Sequence, residues 1–247
     1  MNPERAGDVV LVVAPRGATD AADRLFLAAA AAWVLGAAPA TVQIERSCAH
    51  CGGQDHGRPM VTVASGSLSS PGSLSSPGSR PLHVSLSRTG GTVALALTFL
   101  GPVGVDIESV ADVSRAGFDA VAFDAVAFGP AELATLAELA GTDAAGARAR
   151  LWTAKEAVLK CTGDGLRVDP RDLTVALPGR RSRDEPHLDA WRGARIPVDA
   201  IRLRRFEPGT GLVGTVAVFA DAGFAAGGPT VRVVPAADIR HHRNDPA

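Results

Sequence analysis

The sequence predicts an α+β fold built from two comparable halves. Short apolar segments typical of strands are interleaved with alanine-rich segments typical of helices, and this mixed order recurs roughly twice along the chain. The 247 residues are enough for one large domain or two modest ones. Only 4% of the residues are aromatic, so the core must be largely aliphatic. We expect the halves to comprise residues 1–102 and 103–247.

The first half is predicted to contain one helix among several strands. The continuous apolar run over 9–14 ends at Pro15 and indicates a buried strand. Residues 20–36 are alanine-rich and indicate a helix capped by Thr19 or Asp20. The repeat GSLSSPGSLSSPG, within 65–79, has no apolar face and indicates a flexible surface loop. Further strands are predicted over 41–45, 82–87 and 92–99, the last two joined as a hairpin by Arg88-Thr89-Gly90-Gly91.

The second half is predicted to begin with a strand over 103–107. A short helix over 130–140 has proline in its first turn, and a longer helix over 142–161 is ended by Gly163. Residues 118–128 read FDAVAFDAVAF, a local duplication whose period is far below the roughly 20–50 residues of solenoid repeats. Three more strands are predicted over 173–177, 200–206 and 212–219.

Composition excludes several classes of protein. The net charge of −1 argues against a general nucleic-acid binder. No apolar run reaches the length needed to span a membrane, and the polar N-terminus does not have the pattern of a signal peptide. Three cysteines, an odd number, fit a reducing cytoplasm better than a disulfide framework. We therefore expect a cytoplasmic protein.

The segment GVDIE brings two carboxylates together on one face of a predicted strand. Because side chains alternate along a strand, Val105 and Ile107 point into a core, whereas Asp106 and Glu108 share the opposite face. Two neighbouring carboxylates repel each other unless a cation lies between them, and Mg²⁺ prefers such hard oxygen ligands. The alternative is a solvated polar face on an edge strand.

The segment WTAKEAVLK contains the only two lysines of the chain, Lys155 and Lys160, whereas the other 23 basic residues are arginines. On a helix, Glu156 and Lys160 share a face with Trp152. Chance, or an ordinary surface ion pair, would explain this arrangement. The alternative is chemical, since lysine is a compact charge whose proton is mobile. Glu156 could then complete a Mg²⁺ site with Asp106 and Glu108, with both lysines neutralising a phosphate chain.

Together these two segments resemble the signature of the 4′-phosphopantetheinyl transferases. In that family a strand G-(I/V)-D-(I/V)-E precedes a helix (F/W)-x-x-K-E-(A/S)-x-x-K, and every fixed position is matched here. The length and the layout resemble the larger, surfactin-synthetase-associated (Sfp-like) class. The resemblance implies two similar α/β halves related by a pseudo-twofold axis. The first half would then carry coenzyme A contacts, and the second would carry the metal site and the catalytic helix.

The resemblance also implies a set of residues that bind coenzyme A. Gly57-Arg58-Pro59 stands where the family has Gly-Lys-Pro, and Ser87-Arg88-Thr89 stands where it has Ser-His-Ser, whose histidine helps to bind the 3′-phosphate. Trp33 replaces an arginine that family members often carry, and Arg24 and Arg46 could compensate for it. The expected coenzyme A contacts are Arg24, Arg46, Arg58, Ser87, Arg88, Thr89, Lys155 and Lys160.

The implied activity is that of a holo-acyl-carrier-protein synthase. In this reaction a serine hydroxyl of an apo carrier protein attacks coenzyme A, and adenosine 3′,5′-bisphosphate leaves. The carrier would be an acyl, peptidyl or aryl carrier protein, as in polyketide or nonribosomal peptide biosynthesis.

The resemblance also implies roles for the site residues. Mg²⁺, or Mn²⁺, would be held by Asp106, Glu108 and Glu156. Lys155 and Lys160 would act at the phosphates, and the proton acceptor is Glu156, Glu132 of the family-like FGPAE segment, or a metal-bound water. A monomer is expected. The alternative is a degenerate homologue that binds coenzyme A or a carrier without turnover.

Two further segments have open interpretations. Cys48-x-x-Cys51, with His50 and His56 nearby, suggests either a zinc site or a surface loop of small residues. Residues 180–205 contain eight arginines among four acidic residues, which indicates a solvated face or a docking patch for an acidic carrier protein.

Overall fold

The computed structural model describes residues 8–48, 51–54, 57–64, 80–178, 184–219 and 228–244. Within these residues the fold is α+β, with three sheets and five α-helices. The helices are α1 (Asp20–Leu35), α2 (Ala120–Ala127), α3 (Pro130–Ala137), α4 (Gly141–Thr162) and α5 (Ala236–Asn244). The strands are β1 (Asp8–Pro15), β2 (Val42–Ser47), β3 (Arg58–Val63), β4 (His83–Thr89), β5 (Thr92–Thr98), β6 (Val103–Ser109), β7 (Leu173–Ala176), β8 (His187–Trp191), β9 (Ile201–Phe206), β10 (Leu212–Phe219) and β11 (Thr230–Val233).

The largest sheet has six strands in the order β11-β1-β5-β4-β3-β2. Its pairs are antiparallel except for β1 and β11, which run parallel. Because both faces of β1 are covered, its sequence is a continuous apolar run rather than an alternating one. Val10 and Val12 pack with the helix α1, whereas Val9 and Leu11 pack against the second sheet.

The second sheet has the order β6-β10-β9 and packs against the first. Ala94 and Ala96 of β5 meet Val105 and Ile107 of β6 in a shared core. Small side chains on the first sheet allow this close approach. The alternation predicted for GVDIE is therefore confirmed, since Val105 and Ile107 are fully buried in the core.

Helix α4 covers the outer face of the second sheet and contacts β6 through Gly104. A Cβ atom at position 104 would lie 1.9 Å from the carbonyl oxygen of Ala157 and 2.5 Å from the amide nitrogen of Cys161. No residue larger than glycine fits there without moving α4. The helix ends at Gly163, whose φ of 79° is a left-handed conformation that favours glycine. Gly104 thus sets how closely the two halves of the signature approach each other.

The predicted strands and helices are present with boundaries shifted by a few residues. The sequence analysis assigned no secondary structure to β3, α2, β8, β11 and α5; the duplicated segment 118–128 supplies α2. The other repeat, within 65–79, lies wholly outside the described residues, so its predicted loop is not tested. The pseudo-twofold axis and the division at residue 102 remain predictions, although β11 returns to the first sheet and α5 packs on α1. In the described part of the chain, no helix is both long and apolar enough to cross a membrane.

Candidate active site

Asp106 lies at the centre of the contact between β6 and α4. It is only 4% exposed, and its Oδ1 accepts hydrogen bonds from Ser87 Oγ at 2.7 Å and from Lys160 Nζ at 2.6 Å. Its Oδ2 is buried and has no hydrogen-bond partner among the described residues. Burial raises the pKa of Asp106, while Lys160 and Ser87 oppose the shift. A buried carboxylate oxygen without a partner is a costly feature that a bound cation would relieve.

Glu108 and Glu156 both lie within electrostatic reach of Asp106. Burial, and then the charge of Asp106, raise the pKa of Glu108 to about 7. The same two causes, in the same order, raise the pKa of Glu156. Glu108 shares the α4-facing side of β6 with Asp106, and Glu156 comes from α4 itself. The two signature segments therefore converge on one acidic cluster.

The cluster has the donor chemistry of a magnesium site. Its three side chains offer carboxylate oxygens, which hard divalent cations prefer. Within the described ranges, however, no three His, Cys, Asp or Glu side chains are grouped closely enough to hold a metal ion. The positive charge next to Asp106 is instead that of Lys160, whose ammonium also donates to Ser87 Oγ at 3.2 Å and to the carbonyl oxygen of Val105 at 3.4 Å.

Two serines of β4 accept hydrogen bonds from backbone amides of β6 and so link the first sheet to the second. The amide of Val105 donates to Ser85 Oγ at 3.0 Å, and the amide of Ile107 donates to Ser87 Oγ at 3.4 Å. In the structure Ser87 contacts Asp106, and its expected contact with coenzyme A remains a prediction. Ser85 was not singled out from the sequence, although its spacing of two residues from Ser87 puts both serines on one face of β4.

Lys155 and Glu132 lie in a separate, buried pocket beneath α4. Lys155 is 0% exposed, and its ammonium donates to Glu132 Oε2 at 2.5 Å and to the carbonyl oxygens of Ala127 and Pro170, each at 2.9 Å. Glu132 accepts from the amides of Gly129 and Val175, each at 2.9 Å. All three ammonium hydrogens are thus used inside the protein. This geometry gives no support to the expected contact of Lys155 with phosphates or to proton transfer by Glu132.

The arginines expected at coenzyme A have different surroundings. Arg88 Nε donates to Asp23 Oδ2 at 2.7 Å, a buried partner that the sequence analysis did not identify. Arg58 Nη1 donates to the carbonyl oxygen of Cys161 at 2.9 Å, near the C-terminal end of α4. Arg46 Nη1 lies 3.5 Å from the carbonyl oxygen of Gly57. Arg24 is exposed on α1, and Thr89 is buried at the end of β4.

The roles suggested for Trp33, for the Cys48-x-x-Cys51 segment and for the arginine-rich stretch remain predictions. Trp33 is partly buried against the core, and the guanidinium of Arg232 lies 5.6 Å from its ring centroid. Cys48 is buried and Cys51 is exposed, but His50 and His56 lie outside the described residues, so the zinc site is not tested. The arginine-rich stretch 180–205 lies partly outside the described residues as well.

Comparison with known proteins supports a family for the segment that contains this cluster. Residues 102–199 match the family model of the 4′-phosphopantetheinyl transferase superfamily. The matched segment includes β6 and α4, and hence Asp106, Glu108, Glu156 and Lys160. No curated protein matches the chain significantly. The match, which covers less than half of the chain, supports the superfamily and phosphopantetheinyl transfer as its general activity, with coenzyme A and a carrier protein as the partners that this family implies.

Proposed function

We propose that the protein transfers 4′-phosphopantetheine from coenzyme A to a serine of an apo acyl, peptidyl or aryl carrier protein and releases adenosine 3′,5′-bisphosphate. We further propose that it is of the Sfp-like class and acts as a monomer. The observation that carries this proposal is the acidic cluster formed by the buried Asp106 and the half-buried Glu108 and Glu156. It lies where the two signature segments meet, inside the part of the chain that matches the superfamily.

Asp106, Glu108 and Glu156 would hold a Mg²⁺ ion. Three features of these residues fit such an ion. The Oδ2 of Asp106 is buried and has no partner within the described ranges, the pKa values of all three carboxyl groups are raised, and all the donors are oxygens. When bound, the ion would act as a Lewis acid on phosphate oxygens. Lys160, already positioned beside Asp106, would add a positive charge for the pyrophosphate.

The reaction needs a proton acceptor but no nucleophile from this chain. The carrier serine oxygen forms a bond to the β-phosphorus, the bond from that phosphorus to the bridging oxygen breaks, and the bisphosphate leaves with that oxygen. The serine proton goes to a carboxylate. We propose Glu156, because α4 places its carboxylate within electrostatic reach of Asp106, on the side of β6 where the phosphates would be bound. Glu132 is a poorer candidate, since both of its carboxylate oxygens already accept hydrogen bonds.

Mass spectrometry of the carrier protein tests the proposal. The protein is incubated with coenzyme A, Mg²⁺ and a panel of apo acyl, peptidyl and aryl carriers, and a phosphopantetheine mass increment on the carrier serine is the expected result. The variant Asp106→Ala should give no increment while retaining its fold, as checked by thermal unfolding. Coenzyme A binding without an increment on any carrier would instead favour the degenerate homologue.

A further inference from the structure

The motif Cys48-x-x-Cys51 lies in the connection between β2 and β3, which comprises residues 48–57. The two strands are paired up to the residues directly before and after this connection, so it begins and ends at the same place. Gly57 lies against its start, because a Cβ atom there would be 2.4 Å from the carbonyl oxygen of Ser47 and 2.6 Å from the amide nitrogen of Cys48. The connection therefore returns to Cys48.

The backbone turns sharply after Cys48. The amide of Gly52 donates to the carbonyl oxygen of Cys48, and the amide of Cys48 donates to the carbonyl oxygen of Gly53, each at 2.9 Å. Gly52 has a φ of 71°, a left-handed conformation that favours glycine. These two bonds hold Gly52 and Gly53 against Cys48, so Cys51, which directly precedes them, is held near it as well.

Each of the two sulfur atoms accepts a hydrogen bond from nitrogen. The amide of Gly53 donates to Cys51 Sγ at 3.4 Å, and Arg167 Nη1 donates to Cys48 Sγ at 3.7 Å. An N–H donor or a guanidinium next to a cysteine favours the thiolate, which is the form that binds metal ions. Among the described residues, neither cysteine is joined in a disulfide bond. Both sulfurs are therefore in surroundings that suit metal ligands.

The connection has almost no hydrophobic side chains with which to form a core. Its sequence is CAHCGGQDHG, which contains no apolar side chain larger than alanine apart from the cysteines. Cys48 is nevertheless only 3% exposed. Metal binding can supply the folding free energy that such a segment cannot obtain from apolar burial.

We propose that Cys48 and Cys51 bind a zinc ion through their two sulfur atoms. Their spacing is that of cysteine pairs in structural zinc sites, and zinc favours thiolate and imidazole ligands. The same connection contains two histidines in its sequence, His50 and His56, which lie outside the described residues. Binding of the ion releases the two thiol protons. The site is separate from the acidic cluster, whose ligands are oxygens.

The zinc ion would stabilise the contact between the first sheet and the C-terminal end of α4. Arg167, which donates to Cys48, also donates Nη2 to the carbonyl oxygen of Gly163 at 2.9 Å. Arg58 directly follows the connection, and its Nη1 donates to the carbonyl oxygen of Cys161 at 2.9 Å. The connection is thus held to the last turn of α4 from both of its ends.

The zinc content of the protein, purified with a reductant and measured by mass spectrometry of the metal, tests the site. We expect about one zinc ion per chain in the parent. Cys51→Ser and Cys48→Ser should each remove most of this zinc, and Cys51 is the sharper position because its side chain is exposed. The matched control is Cys161→Ser, whose hydroxyl can keep the hydrogen bond to the carbonyl oxygen of Pro102 and which should retain the zinc.

Replacing zinc with Co²⁺ shows which atoms bind the ion. A sulfur-to-cobalt charge-transfer band is expected in the parent and in Asp106→Ala and should be weaker in Cys51→Ser, because carboxylate oxygens give no such band. Reduced, metal-free parent protein that takes up no zinc would overturn the proposal, and so would a zinc content that Cys51→Ser leaves unchanged. These measurements use neither coenzyme A nor a carrier protein, so their outcome is independent of the proposed function.

Discussion

The ammonium group of Lys155 lies 2.5 Å from Glu132 Oε2, and the two side chains are 0% and 2% exposed. The three hydrogens of this compact group meet three oxygen acceptors, an arrangement that a planar guanidinium cannot adopt. This explains why an arginine-rich chain keeps lysine at position 155. The pair joins α4 to the end of α2, the start of α3 and β7.

Replacing Lys155 should destabilise the fold. Lys155→Met leaves Glu132 buried without its counter-ion, a change that typically lowers the free energy of unfolding by about 3–5 kcal/mol. Lys155→Arg forces a larger group into a closed space and should lower it by about 1–3 kcal/mol. Denaturant-induced unfolding measures the free energy of unfolding of both variants. The control is Lys160→Arg at a side chain that is 32% exposed, for which we expect little change in stability. An unfolding midpoint for Lys155→Met equal to that of the parent would disprove the structural role of the pair.

Gly104→Ala should separate β6 from α4. The added Cβ would lie 1.9 Å from the carbonyl oxygen of Ala157, and a backbone atom cannot rotate away. The helix must therefore shift by about 1 Å or more, and displacements of about 1 Å in an active site can lower rates roughly a hundredfold. We expect a large loss of transfer rate and a lower unfolding temperature.

The matched control for that change is Gly209→Ala. A Cβ at position 209 would meet only Leu212 Cδ1, at an ordinary distance of 3.9 Å, so rate and stability should stay near those of the parent. Equal activities of the Gly104 and Gly209 variants would show that the close approach of β6 and α4 does not matter for catalysis.

Lys160→Met should strengthen metal binding in the absence of coenzyme A. In the free protein the ammonium of Lys160 contacts Asp106 Oδ1, so a divalent ion bound there would be repelled by it. A charge about 4 Å away contributes on the order of 1–4 kcal/mol, depending on exposure, so we expect an increase in Mg²⁺ or Mn²⁺ affinity of about tenfold. Titration calorimetry with the metal alone measures this.

Lys160→Arg keeps the charge and is the control for this experiment. It should not strengthen metal binding, and both variants should transfer phosphopantetheine more slowly than the parent. Metal affinity that stays the same or falls in Lys160→Met would contradict the competition between Lys160 and the ion. Absence of metal binding in every variant would instead remove the metal site from the proposed function.

The sequence predicted the contact around Asp106 more readily than that around Lys155. The face shared by Asp106 and Glu108, and the face shared by Glu156 and Lys160, follow from the periods of one strand and one helix that pack directly together. The hydrogen-bond partners of Lys155 come instead from α2, from α3 and from Pro170, which lies before β7. The fold of α2 is hard to predict, because Val121 and Val126 are exposed and give the helix no simple amphipathic pattern.

The pairing of Arg16 and Arg88 with Asp23 could not be predicted from the sequence, because Arg88 is 65 residues from Asp23 and the pattern of neighbouring residues does not show such a contact. An acidic residue in the first turn of a helix is ordinarily explained by the helix dipole, so Asp23 gave no signal of its own. Strand β11 was missed for a similar reason. It has four residues, and its parallel partner β1 lies at the other end of the chain.

The metal-free protein should lose stability as the pH rises from about 5 to about 8. Glu108 has a pKa of about 7 in the folded protein against 4.5 for the unperturbed group, so the folded state binds its proton more tightly than the unfolded chain does. The contribution of this proton is fully present below about pH 4.5 and is lost as the pH rises through about 7. Asp106 and Glu156, whose pKa values are also raised, act in the same direction.

Thermal unfolding in the presence of a chelator measures this loss of stability with rising pH. Glu108→Gln should flatten the pH dependence, whereas the control Glu138→Gln, at an exposed residue after α3, should not. Added Mg²⁺ should restore stability more at about pH 8 than at about pH 5, because the ion requires ionised carboxylates. Parallel curves for the parent and Glu108→Gln would show that Glu108 is not held protonated by its burial beside Asp106.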